Sequence, residues 1–366
     1  MPFSLNSDAG RRYTGTLFLV AAWALFWPHG ASADNSHVVT FMTRNMDAGT
    51  DLNYILAATD QASLLAGTAA TLAEVKASAI PARASRLADE IATYKPDLIA
   101  LQEVTLWRTG PLLQPPATEI LYDQLDLLMA ELAKRKLPYG IIAVQSLFDA
   151  EAPVPTEGID LRITDRNVIL ARIDLPQSQF DITNLQTHRY TTIFQFASPL
   201  LGDYVEPTGW MSVEVEVSKS KFRFVNTHLE TTAVPQGDQI QLAQVKELLA
   251  ALASPGMPVI LAGDFNANAE PGPEHTGAVE QIVSAGFTDC WKWANIGEPG
   301  YTWPLFGEDQ ASGPASPIER IDLIFTGGDI QRWFGRDPNL LSVERIGTAE
   351  PRASDHAGVV AKVRIK

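Results

Sequence analysis

Short apolar runs that end in an acid, an amide or a histidine alternate along this chain with longer stretches whose apolar residues recur three and four apart. The first kind predicts buried strands with polar rims, and the second predicts helices with one buried face. Residues 37–43 alternate and are rich in β-branched side chains, and Arg44-Asn45-Met46-Asp47 follows. The spacing of Leu87, Ile91 and their neighbours predicts a helix over 71–94, stopped by Pro96-Asp97. Further strands are expected at 98–101, 139–145, 167–173, 180–188, 222–228, 259–262 and 320–325, with a last one after Ser354-Asp355-His356. Helices are expected at 122–137, 236–253 and 277–285. Strands alternating with helices define an α/β fold.

Composition adds a destination. Arg11-Arg12, an apolar run over 17–27 and Ala31-Ser32-Ala33 have the order of a secretory signal, so residues 1–33 are expected to be removed and a single domain to span 34–366. Losing two arginines and one aspartate moves the formal charge from −15 to −16. That charge disfavours non-specific nucleic-acid binding, which needs a basic face. Cys290 is the only cysteine, so no internal disulfide forms and a core drawn from 46% hydrophobic residues must hold the fold. A secreted or periplasmic monomer is expected.

The candidate chemistry sits at strand ends. Gly263-Asp264-Phe265-Asn266 closes an apolar run, and alternate residues of an extended segment face one spot, so Asp264 and Asn266 can act together. The bland alternative is a turn. Glu103 leaves the 98–101 strand, where a carboxylate buried without a partner is costly and calls for a cation. His188 and His228 end two similar strands, and His228 is preferred because its strand leads through a helix to the one carrying Asp264. Asn45, Glu103, His228, Asp264, Asn266, Asp322, Asp355 and His356 make an oxygen-rich set without cysteine. It suits magnesium, manganese or calcium better than zinc. No Gly-x-Ser-x-Gly occurs, which removes the simplest serine-hydrolase reading. Trp291, Trp293, Tyr301 and Trp303 are expected to pack loops and not to stack bases.

Asn45 after a strand, Leu-Gln-Glu103, Asn-Thr-His228, Gly-Asp264-Phe-Asn266, Arg-Ile-Asp322 and Ser-Asp355-His356 resemble, in this order, the endonuclease/exonuclease/phosphatase superfamily. The resemblance spans about residues 38–366. It implies two packed mixed β-sheets flanked by helices, a four-layer α/β/β/α sandwich, and hydrolysis of a phosphate ester by water with Mg2+ or Mn2+. It also implies roles. Glu103, Asn45 and Asp355 would hold the metal, Asp264 would deprotonate water, and Asn266 and His228 would hold the phosphate. Asp322 would keep His356 protonated, and Arg166 would touch phosphate. Asp47 is left open between a further ligand and a turn acid.

The substrate is open as well. A secreted phosphodiesterase or phosphatase is the leading expectation, a secreted nuclease the alternative, and a non-enzymatic binding protein the third. The apolar segment 190–201 is expected to fold onto its own domain, with an exposed lip for a membrane lipid as its other reading.

Overall fold

A computed structural model describes residues 37–50, 52–253, 256–272, 275–306, 315–327 and 340–365; the expected signal segment lies outside them. The strands are β1 His37–Asn45, β2 Leu98–Gln102, β3 Leu106–Pro111, β4 Glu119–Asp123, β5 Tyr139–Val154, β6 Ile159–Arg172, β7 Phe180–Arg189, β8 Phe194–Ser198, β9 Gly202–Glu206, β10 Gly209–Val217, β11 Ser220–His228, β12 Val259–Asp264, β13 Thr288–Asp289, β14 Asp322–Gly327, β15 Leu340–Ile346 and β16 Gly358–Ile365. The helices are α1 Asn53–Leu56, α2 Gln61–Ala77, α3 Ile80–Tyr94, α4 Gln124–Lys134, α5 Gly237–Leu252, α6 Ala278–Ser284 and α7 Cys290–Ala294.

Two mixed sheets follow from this order. One runs β15-β16-β1-β2-β6-β3-β4 with β5 paired to β6, and the other runs β13-β14-β12-β11-β10-β7. Period-two alternation explains how each is buried on both faces. Leu98 and Ala100 of β2 meet Ile260 and Ala262 of β12 in the core between the sheets. Ile99 and Leu101 turn the other way onto Leu87 and Ile91 of α3 and Leu128 and Leu132 of α4. Val259 and Leu261 likewise face Val245 and Leu248 of α5 and Ile282 of α6. The result is the expected α/β/β/α sandwich, and continuous apolar runs mark the strands covered on both sides.

Asn226, fully buried in β11, ties the sheets together near the site. Its Nδ2 donates to the carbonyls of Leu101 and Val168, each at 2.9 Å, and its Oδ1 accepts from Gln102 Nε2 at 2.7 Å.

Several elements differ from expectation. The single helix over 71–94 is two, because Ala79 adopts a left-handed φ of 52° and Pro81, in the first turn of α3, has no N–H to continue the ladder. Helix α4 starts later than expected, where Asp123 accepts from the amides of Leu125 and Asp126. Strands β5 and β6 form one long hairpin, so Asp165-Arg166 lies within β6 and not ahead of a strand. The apolar connection after His188 contains the β8–β9 hairpin and leads into β10, whose Met211, Val213, Val215 and Val217 point into the inter-sheet core. Replacing Ile260, fully buried between the sheets, with alanine is expected to lower unfolding free energy by about 2–5 kcal/mol in urea denaturation. A loss under about 1 kcal/mol would contradict its place in a close-packed core.

Candidate active site

The site forms where the C-terminal ends of two parallel pairs meet. In the first sheet β1 and β2 run parallel and pair Asn45 with Gln102, one residue before Glu103. In the second sheet β11 and β12 run parallel and pair His228 with Asp264, which is paired in turn with Asp322 of antiparallel β14. On the other side His228 pairs with Gly209, and Gly209 with Arg189. Directly paired residues point to the same side of a sheet. Asp322, Asp264 and His228 therefore form one row across the rim, fixed by register.

Three turns place a non-glycine residue at positive φ: Glu103 at 53°, Asp47 at 61° and Asn266 at 47°. Each lies just past a strand end. Gly263 is required for a different reason, since a Cβ there would lie 2.1 Å from the carbonyl oxygen of Thr227.

Contacts join the two halves. Asn45 Nδ2 donates to Glu103 Oε1 at 2.7 Å and to Asp264 Oδ2 at 2.9 Å. Asn45 Oδ1 accepts from the Asp47 amide at 2.8 Å, so Asn45 bridges two carboxylates and does not turn its oxygen to the site. Asp264, 1% exposed, accepts from the Asn266 amide at 2.9 Å and lies 3.8 Å from His228 Nε2 and 3.6 Å from His356 Nδ1. Asn266 Nδ2 contacts His228 Nε2 at 3.2 Å and donates to the Leu229 carbonyl. His356 Nδ1 meets Asp322 Oδ2 at 2.9 Å, and Asp355 Oδ2 lies 3.9 Å from its Nε2.

Arg166, like the oxygen of Asn45, is engaged elsewhere. Its guanidinium binds Asp123 at 2.6 Å and the carbonyls of Val104 and Thr105, which commits it to the loop after Glu103 and not to phosphate. Asp47 accepts from the Gly49 amide at 2.6 Å and pairs with buried Arg83. His188 is exposed and stacks on Trp210 with ring centroids 4.4 Å apart.

Trp303 belongs to the site, contrary to its expected loop-packing role alone. Its indole N–H donates to Asp355 Oδ2 at 3.2 Å and its ring lies 6.3 Å from that of His356. Thr302 Oγ1 accepts from the amides of Ile321 and Asp322 at 3.1 and 3.2 Å. No periodicity in Tyr301-Thr302-Trp303 signals either contact.

Burial dominates the electrostatics. It pushes Glu103 up to about 7, with the Asp355 charge adding to the effect and His228 opposing it. It pushes Asp355 up to about 6, with Asp47 adding. For His356 burial works against the charged ring, but Asp322, Asp355 and Asp264 together outweigh it and raise its pKa well above 6.5. His228 is raised in the same way, as Asp264, Glu103 and Asp165 overcome burial. Two histidine-containing groups bring ligating atoms within 4.8 Å of one another: Glu103, His228 and Asp264, and Asp264, Asp322 and His356. Buried carboxylates that resist ionisation beside oxygen donors fit a hard divalent cation.

A two-sheet sandwich with acids, amides and histidines at one rim is the architecture of the phosphoesterase and nuclease fold class. The chain belongs to the Endonuclease/Exonuclease/phosphatase family, whose pattern matches residues 45–356. Similar solved structures include an endonuclease/exonuclease/phosphatase family protein from Leptotrichia buccalis, with TM-score 0.53 and 15% identity over 89% of this chain and 99% of that one. An endonuclease/exonuclease/phosphatase from Beutenbergia cavernae has TM-score 0.52 and 19% identity over 90% and 72% of the two chains. A humanized TDP2 of D. rerio has TM-score 0.50 and 17% identity over 89% and 98%. At these identities the likeness is one of fold. No curated protein matches the sequence.

The raised His356 predicts a pH effect. Its folded-state pKa lies above 6.5, so the stability it contributes is full below that value and fades as pH rises through the raised one. Asp322→Asn is expected to lower the imidazole pKa in an NMR titration and to destabilise most in mildly acidic solution. An unchanged titration would show that Asp322 does not hold the proton on His356.

Proposed function

We propose that the chain is an exported, metal-dependent phosphodiesterase that acts as a monomer and cleaves its ester by direct attack of water. The observation that carries this reading is the meeting of Glu103 from one sheet with Asp264 from the other, between His228 and His356. Asp264 is held on both oxygens, by the Asn266 amide and by Asn45 Nδ2, which fixes it to orient a water and take its proton. His356, kept cationic by Asp322, donates toward charge that grows on the phosphoryl oxygens. His228 and Asn266 hold the phosphate from the opposite side. Glu103 and Asp355 would hold Mg2+ or Mn2+, which would supply positive charge where negative charge grows on the phosphate.

The charge of −15 makes a nuclease the second reading, since phosphate-backbone binding draws on a basic face. Weak duplex DNA cleavage that falls further with added salt is expected. The 190–201 segment supports its own-domain reading. Tyr190 is buried against Thr227 at 2.7 Å, and Phe194 and Phe196 pack on Tyr204, with ring centroids 6.1 and 5.1 Å away.

An aryl phosphodiester is expected to be hydrolysed with magnesium or manganese and not in excess chelator. Full turnover in chelator would sink the assignment. Asp264→Ala and His356→Ala are each expected to lower kcat by about 10²-fold or more, because both act on the transition state. His188→Ala should leave it near wild type; the reverse pattern between His188→Ala and His228→Ala would make His188 the working histidine.

A further inference from the structure

One flank of the site carries carboxyls that the proposed chemistry does not use. Asp165 on β6, Glu206 at the end of β9 and Glu230 just past β11 all act electrostatically on His228. Burial, and then Asp165, discourages ionisation of Glu206; burial, and then Glu206, holds Glu230 up to about 7. Tyr204 donates to Glu206 at 3.0 Å, while the adjacent Arg166 is spent on Asp123.

The adjoining polar side chains point the same way. Alternation puts Asp165 and Asn167 on one face of β6, and register pairs Asn167 with Gln145 of β5. Both amides spend their NH2 groups on the facing sheet: Asn167 Nδ2 donates to the Gly209 carbonyl at 3.3 Å and Gln145 Nε2 to that of His188 at 2.8 Å. Gly209 is the cross-strand partner of His228. With the nitrogens so fixed, the oxygens turn away from those carbonyls. Asn167 Oδ1, Gln145 Oε1 and Asp165 Oδ1 are all buried without a hydrogen-bond donor, and Asn167 and Gln145 are 0% and 6% exposed.

Buried acceptors left unpaired are rare, and three on neighbouring positions of one face ask for a common partner. Every unpaired atom is an acceptor and the surrounding groups are acids, so the partner is a cation that donates hydrogen bonds. Among the described residues Asp165, Glu206 and Glu230 do not bring ligating atoms within 4.8 Å, as Glu103, His228 and Asp264 do. A bare divalent ion needs bonds of about 2.0–2.6 Å, so this wider spacing suits an organic cation with several N–H groups.

We propose that this flank is a subsite for a primary ammonium group carried on one arm of the phosphodiester. The proposal rests on the phosphodiesterase reading and narrows it to esters whose second alcohol bears an amine. The ammonium lies between the phosphate and Glu206, with its N–H groups directed at Asp165 and the two amide oxygens.

The test compares aryl phosphodiesters whose second arm is 2-aminoethyl, propyl or 2-(trimethylammonio)ethyl. Wild type is expected to favour the aminoethyl ester over the propyl ester by about tenfold or more in kcat/KM, mainly through KM, as charge-assisted hydrogen bonds are worth at least that. The trimethylated ester, which has charge but no N–H, should fall between. Asp165→Asn and Glu206→Gln should each bring the aminoethyl-to-propyl ratio toward one. A purely structural role would lower both rates and leave the ratio unchanged, which overturns the proposal, as does a wild-type ratio of one. Should wild type hydrolyse none of the esters, the phosphodiesterase reading fails and binding of 2-aminoethylphosphonate, followed by calorimetry, decides the subsite. Binding at least about tenfold weaker in both variants supports it, and equal binding overturns it. Calcium binding that is lost in the variants, with no preference for the amine, would instead mark a metal site and also overturn it.

Discussion

The two halves of the site are tied to each other through the amide of Asn226. It sits in β11 two residues before His228, and its contacts reach β2 and β6 in the other sheet. Sheets that meet only through apolar side chains can slide on one another, because such contacts carry no direction. A buried amide with three partners cannot move without leaving polar groups unpaired, each at a cost of about 1–3 kcal/mol. Gln102, one of those partners, directly precedes Glu103. The tie thus sets the distance between a carboxylate on one sheet and a histidine on the other.

Around that tie the site balances burial against charge. Glu103 and Asp355 are pushed toward their neutral forms while His228 and His356 are pushed toward their charged forms. The opposed directions have one origin. Acids outnumber cations at the rim, so each imidazole gains from the surplus while the carboxyls of Glu103 and Asp355, buried beside like charge, do not. Cross-strand register makes the arrangement exact: Asp322, Asp264 and His228 lie in adjacent strands at one level, and a slip of one residue would turn all three to the other face.

How much of this could be read from the residues alone follows from what generates each feature. Val259 to Ala262 and Leu98 to Leu101 show as unbroken apolar runs because helices cover one face and the facing sheet the other. Their rims show as the polar residues that break the runs, which is why Glu103, Asp264 and Asn266 stood out. Trp303 did not, since its contact with Asp355 spans loops far apart in sequence and leaves no local trace. The partner of Arg166 leaves no local sign either, since Asp123 is brought beside it only by folding. The break between α2 and α3 was visible in Pro81, but Ala79, the residue that turns the chain, carries no turn signature.

The left-handed turns at Asp47, Glu103 and Asn266 have a consequence for the history of such a chain. A side chain held at positive φ costs about 1 kcal/mol or more that glycine would not. Two of these three positions carry side chains the chemistry uses. A lineage released from catalysis and selected only for resistance to heat would gain by admitting glycine at 103. Loss of activity would then be hard to reverse, because the step back would have to be taken against stability.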